Sequence, residues 1–260
     1  MADANHQDLI LDQFTRQATV FSTAPAITDE RALQMIVEAA RPGSDDTVLD
    51  VACGGGLVVC AFAPHVRHAT GIDATPAMLE QAGALAAEKR VSNVSWRQGD
   101  VSALPYEDGS FTIVVSRFAF HHLLDPLAVL REMVRVCAPG GRIVVVDTCA
   151  SEDPAKAAEF NRLEKLRDPS HARNLTLSEL KGFFRTVGLP EPQLSLYELR
   201  SEVASLLARS FPNPGDDVKI VEIFKASAVD DRLGIPVRIE GEKIHYAYPV
   251  TILAAQRPAR

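Results

Sequence analysis

The chain has 260 residues, 47% of them apolar and 23% charged, which is enough for one sizeable α/β core of ordinary enzyme composition. Its formal charge of −7, with no cluster of Lys and Arg to meet phosphates, argues against a nucleic acid partner. No apolar run approaches the roughly 20 residues of a membrane span, and the acidic, polar start Met1-Ala-Asp-Ala-Asn-His-Gln-Asp8 is unlike a signal peptide, so a cytoplasmic protein is expected.

Leu33, Ile36, Val37 and Ala40 recur at helical spacing and predict an amphipathic region that Pro42-Gly43 ends. Alternating strand and helix patterns then fill 46–150, which calls for parallel strands with helices on both faces. The first strand, in Thr47-Val-Leu-Asp-Val-Ala-Cys-Gly-Gly-Gly56, runs straight into three glycines, and a glycine without Cβ lets a ligand approach the backbone closely. A nucleotide-like ligand at the carboxyl end of that strand is the first inference. No Gly-Lys-Ser/Thr follows, which removes the phosphate-binding loop of an NTPase. Val59 occupies the third position of a G-x-G-x-x-G pattern, which weakens NAD or FAD.

The second strand, His68-Ala-Thr-Gly-Ile-Asp73, ends in a carboxylate about twenty residues beyond Gly54, a spacing suited to an acid that accepts both hydroxyls of a ribose. Pro76 opens the next helix, where its missing N–H costs nothing, and Met78 either lies over an adenine face or fills the core. A third strand over 94–98 leads into Gly99-Asp100-Val101, a fourth over 111–116 into Arg117-Phe118, and the apolar run Arg142-Ile-Val-Val-Val-Asp147 is a strand covered on both faces. Thr176 with Glu179 starts a helix that ends near Gly188-Leu-Pro190. Segments 193–200 and 243–256 look extended, and the helical, charged stretch 201–241 between them is too long for a hairpin loop. Cys53, Cys60, Cys137 and Cys149 show no C-x-x-C spacing and read as buried thiols, with no metal site.

Residues 47–150 resemble a class I S-adenosylmethionine-dependent methyltransferase, most of all the group that contains the ubiquinone and menaquinone biosynthesis methyltransferases. The resemblance rests on Val48-Leu-Asp-Val-Ala-Cys-Gly-Gly-Gly56, Gly71-Ile-Asp73 with Met78-Leu79, Gly99-Asp100 followed by Leu104-Pro105-Tyr-Glu-Asp108, Phe111-Thr-Ile-Val114, and Leu130-Arg-Glu-Met-Val-Arg-Val-Cys-Ala-Pro-Gly-Gly141. It implies an α/β, Rossmann-like, seven-stranded, mostly parallel sheet with helices on both faces, the last strand antiparallel, plus a small helical cap. The chain is then one domain over 1–260, with a cap at 1–42, a cofactor-binding core at 43–150, and substrate-side helices with a C-terminal β-hairpin and its 201–241 insertion at 151–260.

The resemblance also implies roles for single residues. Gly54 and Gly56 lie under the methionine part of S-adenosyl-L-methionine, Asp50 helps hold its ammonium group, and Asp73 holds the ribose. Asp100 accepts from the adenine amino group, with the Val101 backbone nearby, while Ser116 with Arg117 sits where the fourth strand delivers backbone to the amino acid end. For Asp50 and Asp100 the competing reading is capping or turn formation. Phe14, Ala18 and Phe21 resemble the segment that folds over the cofactor, and Phe21 covers the sulfonium by a cation–π contact or is core.

Methyl transfer needs a nucleophile aligned behind the methyl group with water excluded, and a general base if that nucleophile carries a proton. His121 is the first candidate base and His122 the second, against a reading of capping, stacking or core packing, with Asp125 either orienting one of them or starting a helix. His171 and Arg173, in a polar segment between roofing helices, contact the substrate, close over the cofactor or lie in a solvated loop. The expected activity is methylation of a small molecule, with acceptor atom and homo-oligomerisation left open. The alternatives are a protein of the same fold that binds the cofactor for another reaction or for regulation, and an NAD-dependent oxidoreductase.

Overall fold

The computed structural model describes the backbone of residues 2–22 and 24–259 and the side chains of 6–20 and 24–259. Two helices, α1 (Ala2–Ser22) and α2 (Glu30–Ala40), precede the sheet. Asp29 caps α2 by accepting from the Ala32 N–H, and Arg41, left-handed at φ 48°, ends it just before Pro42-Gly43. The strands are β1 (Thr47–Val51), β2 (His68–Asp73), β3 (Val94–Gln98), β4 (Phe111–Arg117), β5 (Cys137–Thr148), β6 (Gln193–Glu202), β7 (Val237–Glu240) and β8 (Lys243–Gln256). Between them run α3 (Leu57–Phe62), α4 (Pro76–Glu88), α5 (Pro126–Val136), α6 (Pro154–Arg167), α7 (Leu177–Thr186), α8 (Val203–Leu207) and α9 (Asp216–Asp230).

The sheet order is β3-β2-β1-β4-β5-β8-β6, with β1 to β5 parallel and β8 antiparallel to both β5 and β6. This seven-stranded path is the expected one. The stretch 201–241 is not helical throughout: it also supplies β7, an eighth short strand that pairs with Lys243–Tyr246, the part of β8 that runs beyond the carboxyl end of β5. Strand β5 begins five residues earlier than its apolar run, with a register irregularity against β4 between Phe111 and Ile113.

Period-2 alternation sorts the central strands into two layers. Val48, Ile113, Val115, Val144 and Val146 face one core with α2, α3 and α6, whereas Leu49, Val114, Ile143 and Val145 face the other with α5 and α7. Covered on both faces, β1, β4 and β5 stay rigid and hold their carboxyl ends in register, with Asp50 opposite both Gly71 and Val115.

The three glycines of the β1 turn divide the work. At Gly56 (φ 78°) a Cβ would stand 2.6 Å from Trp96 and 2.8 Å from Ala82, so this glycine lets α3 pack down on α4 and β3. At Gly54 (φ 50°) the nearest atom would be the Met78 sulfur at 3.9 Å, and there the left-handed backbone is the constraint.

Candidate active site

A cavity of about 740 Å³ opens at the carboxyl ends of β1, β2 and β4, between the starts of α4 and α5 and beneath α1. That volume suits a nucleotide-sized ligand with room beside it. Asp73, at the tip of β2, accepts the Gly54 N–H on one oxygen and the Thr75 N–H on the other, each at 2.8 Å, which ties the glycine turn to the start of α4. Burial pushes its pKa up, against the pull of those hydrogen bonds. Its oxygens keep further lone pairs for the cavity that it lines.

Asp50 is the anomaly of the site. It is 1% exposed and lines the cavity, and neither carboxylate oxygen has a hydrogen-bond partner among the described residues. Burial, then the charge of Asp73, drive its pKa well up, with the Arg117 charge opposing. Arg117, also in the wall, donates to the Ile27 carbonyl at 2.9 Å and lies 4.5 Å over the Phe118 ring, while its Nε is left without a partner among the described residues. Two non-glycine residues of this wall, Ala52 at φ 59° and Phe118 at φ 55°, hold left-handed backbone, the kind of strain that collects at working sites.

Met78, Asp100 and Val101 also line the cavity. Asp100 is exposed and accepts from the Ser102 N–H at 2.8 Å and the Ser102 hydroxyl at 2.7 Å, so it forms its turn while facing the ligand space. Two expected cavity residues do not reach it. Gly56 packs against Trp96 and Ala82, and the Ser116 hydroxyl is bonded to the Val51 carbonyl at 2.8 Å inside the sheet. Phe21 lies outside the residues whose side chains are described. Its neighbour Phe14 does line the cavity and meets the His122 ring edge-on at 4.9 Å. The sequence reading missed Gly55 and the roof residues His6, Gln7, Ile10 and Leu11, although their spacing, continued by Phe14, marks one face of a helix.

After β4 the chain makes a short helical turn, Phe120–His122. Asp147, buried near the carboxyl end of β5, takes the His121 N–H at 3.1 Å and sits 2.5 Å from His121 Nδ1. Ala172 and Arg173 donate their backbone N–H groups to the His121 carbonyl at 2.8 and 3.0 Å, fixing the residue from the other side. Burial pulls the His121 pKa down, but the charge and hydrogen bond of Asp147 outweigh it and the net shift is upward. His122 carries no such carboxylate bond: its Nδ1 meets the Ser170 carbonyl and hydroxyl at 3.2 Å, and burial, then His121, push it down to about 3. His171 completes a cluster, with its ring 5.6 Å from His121 and 6.3 Å from His122.

The large cavity adjoins a chamber of about 70 Å³, and Phe14, Ile27, Phe118 and His122 line both. His121 lines only the chamber. Its other walls mix polar groups, among them Gln17, Glu164, Arg167, Asp168, Tyr246 and Tyr248, with the apolar side chains of Leu199 and Leu206. His171 is a correction: it is fully buried, bonds to Asn161 at 2.9 Å and lines neither space. Arg173 is another, since its half-exposed guanidinium pairs with Glu179 at 2.8 Å on the surface. Asp125 caps α5 through the Ala128 N–H and orients no histidine. The orienting acid is Asp147, whose only sequence signal was a lone charge closing an apolar strand.

The profile of the "Methyltransferase domain" family matches residues 49–145. The uncharacterized methyltransferase YcgJ of Bacillus subtilis (strain 168) is 32% identical over 243 residues, covering 92% of this chain and 96% of its own length. The chain belongs to the S-adenosylmethionine-dependent methyltransferase family. The crystal structure of YcgJ superposes with a TM-score of 0.81 at 30% identity, covering 88% of this chain and 98% of that one. The demethylmenaquinone methyltransferase of Lactococcus lactis (strain IL1403) is 36% identical over 105 residues, 39% of this methyltransferase and 42% of its own length. The nicotinamide and regulatory readings find no support in these likenesses.

The histidine cluster gives this methyltransferase an acid-sensitive point. His122 and His171 are held neutral when folded but take protons near pH 6.5 when unfolded, so stability is full above that value and lost as pH falls below it, at about 1.4 kcal/mol per pH unit for each group. Asp50, raised by burial, acts in the opposite sense, and His121, also raised, costs stability only as pH rises above about 6.5. The difference between variant and parent isolates one group. Urea unfolding should show the parent losing about 2 kcal/mol more than His122→Gln in all between pH 7 and pH 5; parallel curves would contradict a neutral, buried His122.

Proposed function

We propose that the large cavity holds S-adenosyl-L-methionine and that the chamber receives the reacting group of a small-molecule acceptor, whose proton passes to His121. The observation that carries the cofactor assignment is the Asp50 carboxylate, buried inside the cavity without a hydrogen-bond partner among the described residues. A desolvated carboxylate of this kind costs several kcal/mol unless a cation completes it, and the ammonium group of the cofactor is such a cation. Asp73 would hold the ribose, Gly54 would pass beneath the methionine part, and Met78, Asp100 and Val101 would enclose the adenine. Arg117, with its unpartnered Nε in the same wall, would face the carboxylate end. When bound, the cofactor supplies an electrophilic methyl group on a positively charged sulfur.

The chain's own part is positioning, exclusion of water and removal of a proton. Phe14, Ile27 and Phe118 form an apolar junction between the two spaces, where a methyl group would cross. Asp147 holds His121 with the proton on Nδ1, which leaves the Nε2 lone pair as the base. His122, whose pKa is pushed down to about 3, stays neutral and serves as wall between the two spaces. A small acceptor agrees with the small chamber. On this reading residues 1–42 form the cap, 43–150 the cofactor core and 151–260 the acceptor side of one domain, acting in the cytoplasm and not on nucleic acid. Among the described residues no helix is long and apolar enough to cross a membrane.

Two substitutions separate the roles. Asp50→Asn should weaken S-adenosylmethionine binding at least about tenfold, the weight of a charged hydrogen bond, while raising the melting temperature of the ligand-free protein, because it removes an uncompensated buried charge. Calorimetric titration and thermal unfolding check both halves, and unchanged affinity would sink the ammonium assignment. His121→Ala should cut the rate of S-adenosylhomocysteine release with a screened acceptor about 100-fold or more at constant cofactor affinity. Because a base works unprotonated and the His121 pKa lies above 6.5, parent turnover should rise with pH to a midpoint above 6.5, and Asp147→Asn should move that midpoint down. A midpoint unmoved by Asp147→Asn would remove the dyad from the chemistry.

A further inference from the structure

A third space lies beyond the chamber. It is an open groove of about 780 Å³ at the β6, β7 and β8 end of the sheet, and Arg209 and Tyr246 line both groove and chamber. The three spaces therefore stand in series, with the chamber walled by cofactor-cavity residues on one side and by Arg209 and Tyr246 on the other.

Most charges along this path have hydrogen-bond or ion-pair partners; among the described residues the exposed groove residue Arg238 and the half-buried Arg209 have no carboxylate beside them. Arg167 bonds to Glu164 at 2.7 Å, and Glu164 also accepts the Tyr248 hydroxyl at 2.6 Å. Asp168 accepts from the Ser170 N–H and hydroxyl and from Gln17. In the groove Arg200 pairs with Glu198, and Lys243 with Glu202. Arg209, at the passage itself, is half-buried and bonds only to neutral groups: the Ser205 carbonyl at 3.1 Å, the Ser201 hydroxyl at 3.5 Å and the Tyr246 hydroxyl at 3.1 Å. No carboxylate lies within ion-pair distance of it among the described residues. A planar guanidinium with donors to spare matches a carboxylate in two-pronged geometry. Tyr246 accepts from Arg209 and so keeps its own phenolic proton to donate. Its ring is set by Tyr248 at 4.5 Å and Phe224 at 5.3 Å.

We propose that the acceptor is a small monocarboxylate that enters from the groove, anchored by Arg209 and the Tyr246 hydroxyl, with its reacting group reaching into the chamber beside His121. This rests on the chamber being the acceptor site. A space of about 70 Å³ holds on the order of five water-sized groups, which fits a short acid and not a bulky lipid head.

The test is calorimetric titration of the full chain, saturated with S-adenosylhomocysteine, using propionate, benzoate, their neutral amides and inorganic phosphate. At least one acid should bind tenfold or more tighter than its amide. Arg209→Gln should erase that preference, Arg209→Lys should keep part of it, and both variants should bind S-adenosylhomocysteine as the parent does. Equal binding of acid and amide, no binding of either acid, or a preference that survives Arg209→Gln would overturn the proposal; phosphate binding tighter than both acids would overturn the carboxylate assignment. His121→Ala in the same titration should keep the acid preference, so a failed base assignment is told apart from a failed anchor. If acids bind the chain but S-adenosylhomocysteine does not, the cofactor reading fails while the anchor stands.

Discussion

Two carboxylates, Asp50 and Asp73, are buried side by side at the tips of adjacent parallel strands, and their mutual repulsion and desolvation organise the rest of the site. Asp73 is reconciled to burial by two backbone N–H groups, and in accepting them it locks the glycine turn to the start of α4. Asp50 is left uncompensated among the described residues. In a fold that is marginally stable overall, such a group is a standing cost. It is tolerated because β1 is covered on both faces and cannot turn the side chain out to water, and on the proposed reading a cationic ligand relieves it. On that proposal, affinity for the ligand is stored in the folded chain as strain, in the same wall where Ala52 and Phe118 hold left-handed backbone.

The same logic of a fixed group on a rigid strand end recurs at the proposed base. His121 follows β4, Asp147 ends β5, and the backbone of residues 172–173 clamps the histidine carbonyl, so three elements converge on one imidazole. The C-terminal half adds the outer walls. Strand β8 runs past β5, which brings Tyr246 and Tyr248 over the strand ends and lets the insertion supply Arg209. The large cavity and the chamber meet at Phe14, Ile27, Phe118 and His122, which makes α1 part of the junction as well as the roof.

Much of this was legible in the residues. The central strands, the acid at the end of β2, the glycine turn and the capping box of α7 are local signals, and each stands within a few residues of where the pattern put it. What the sequence hid were contacts made across it. Gly56 and Gly54 are indistinguishable in a glycine run, and only the placement of Trp96 shows that one packs helices and the other lines the cavity. The Ser116 side chain is turned from the cavity because a buried serine on a sheet strand satisfies its hydroxyl within the sheet, here on Val51. His171 and Arg173 looked like loop residues for a substrate, but the segment folds inward to hold His121, leaving one buried and one on the surface. Asp147 was the reverse case, a partner 26 residues away that no local pattern announces.

A crystal structure of the protein grown with S-adenosylhomocysteine tests the central claim most directly. The account predicts the ligand ammonium within about 3 Å of the Asp50 carboxylate and the ribose hydroxyls on Asp73. A ligand whose ammonium lies elsewhere, with Asp50 still bare beneath it, would contradict the account at its root.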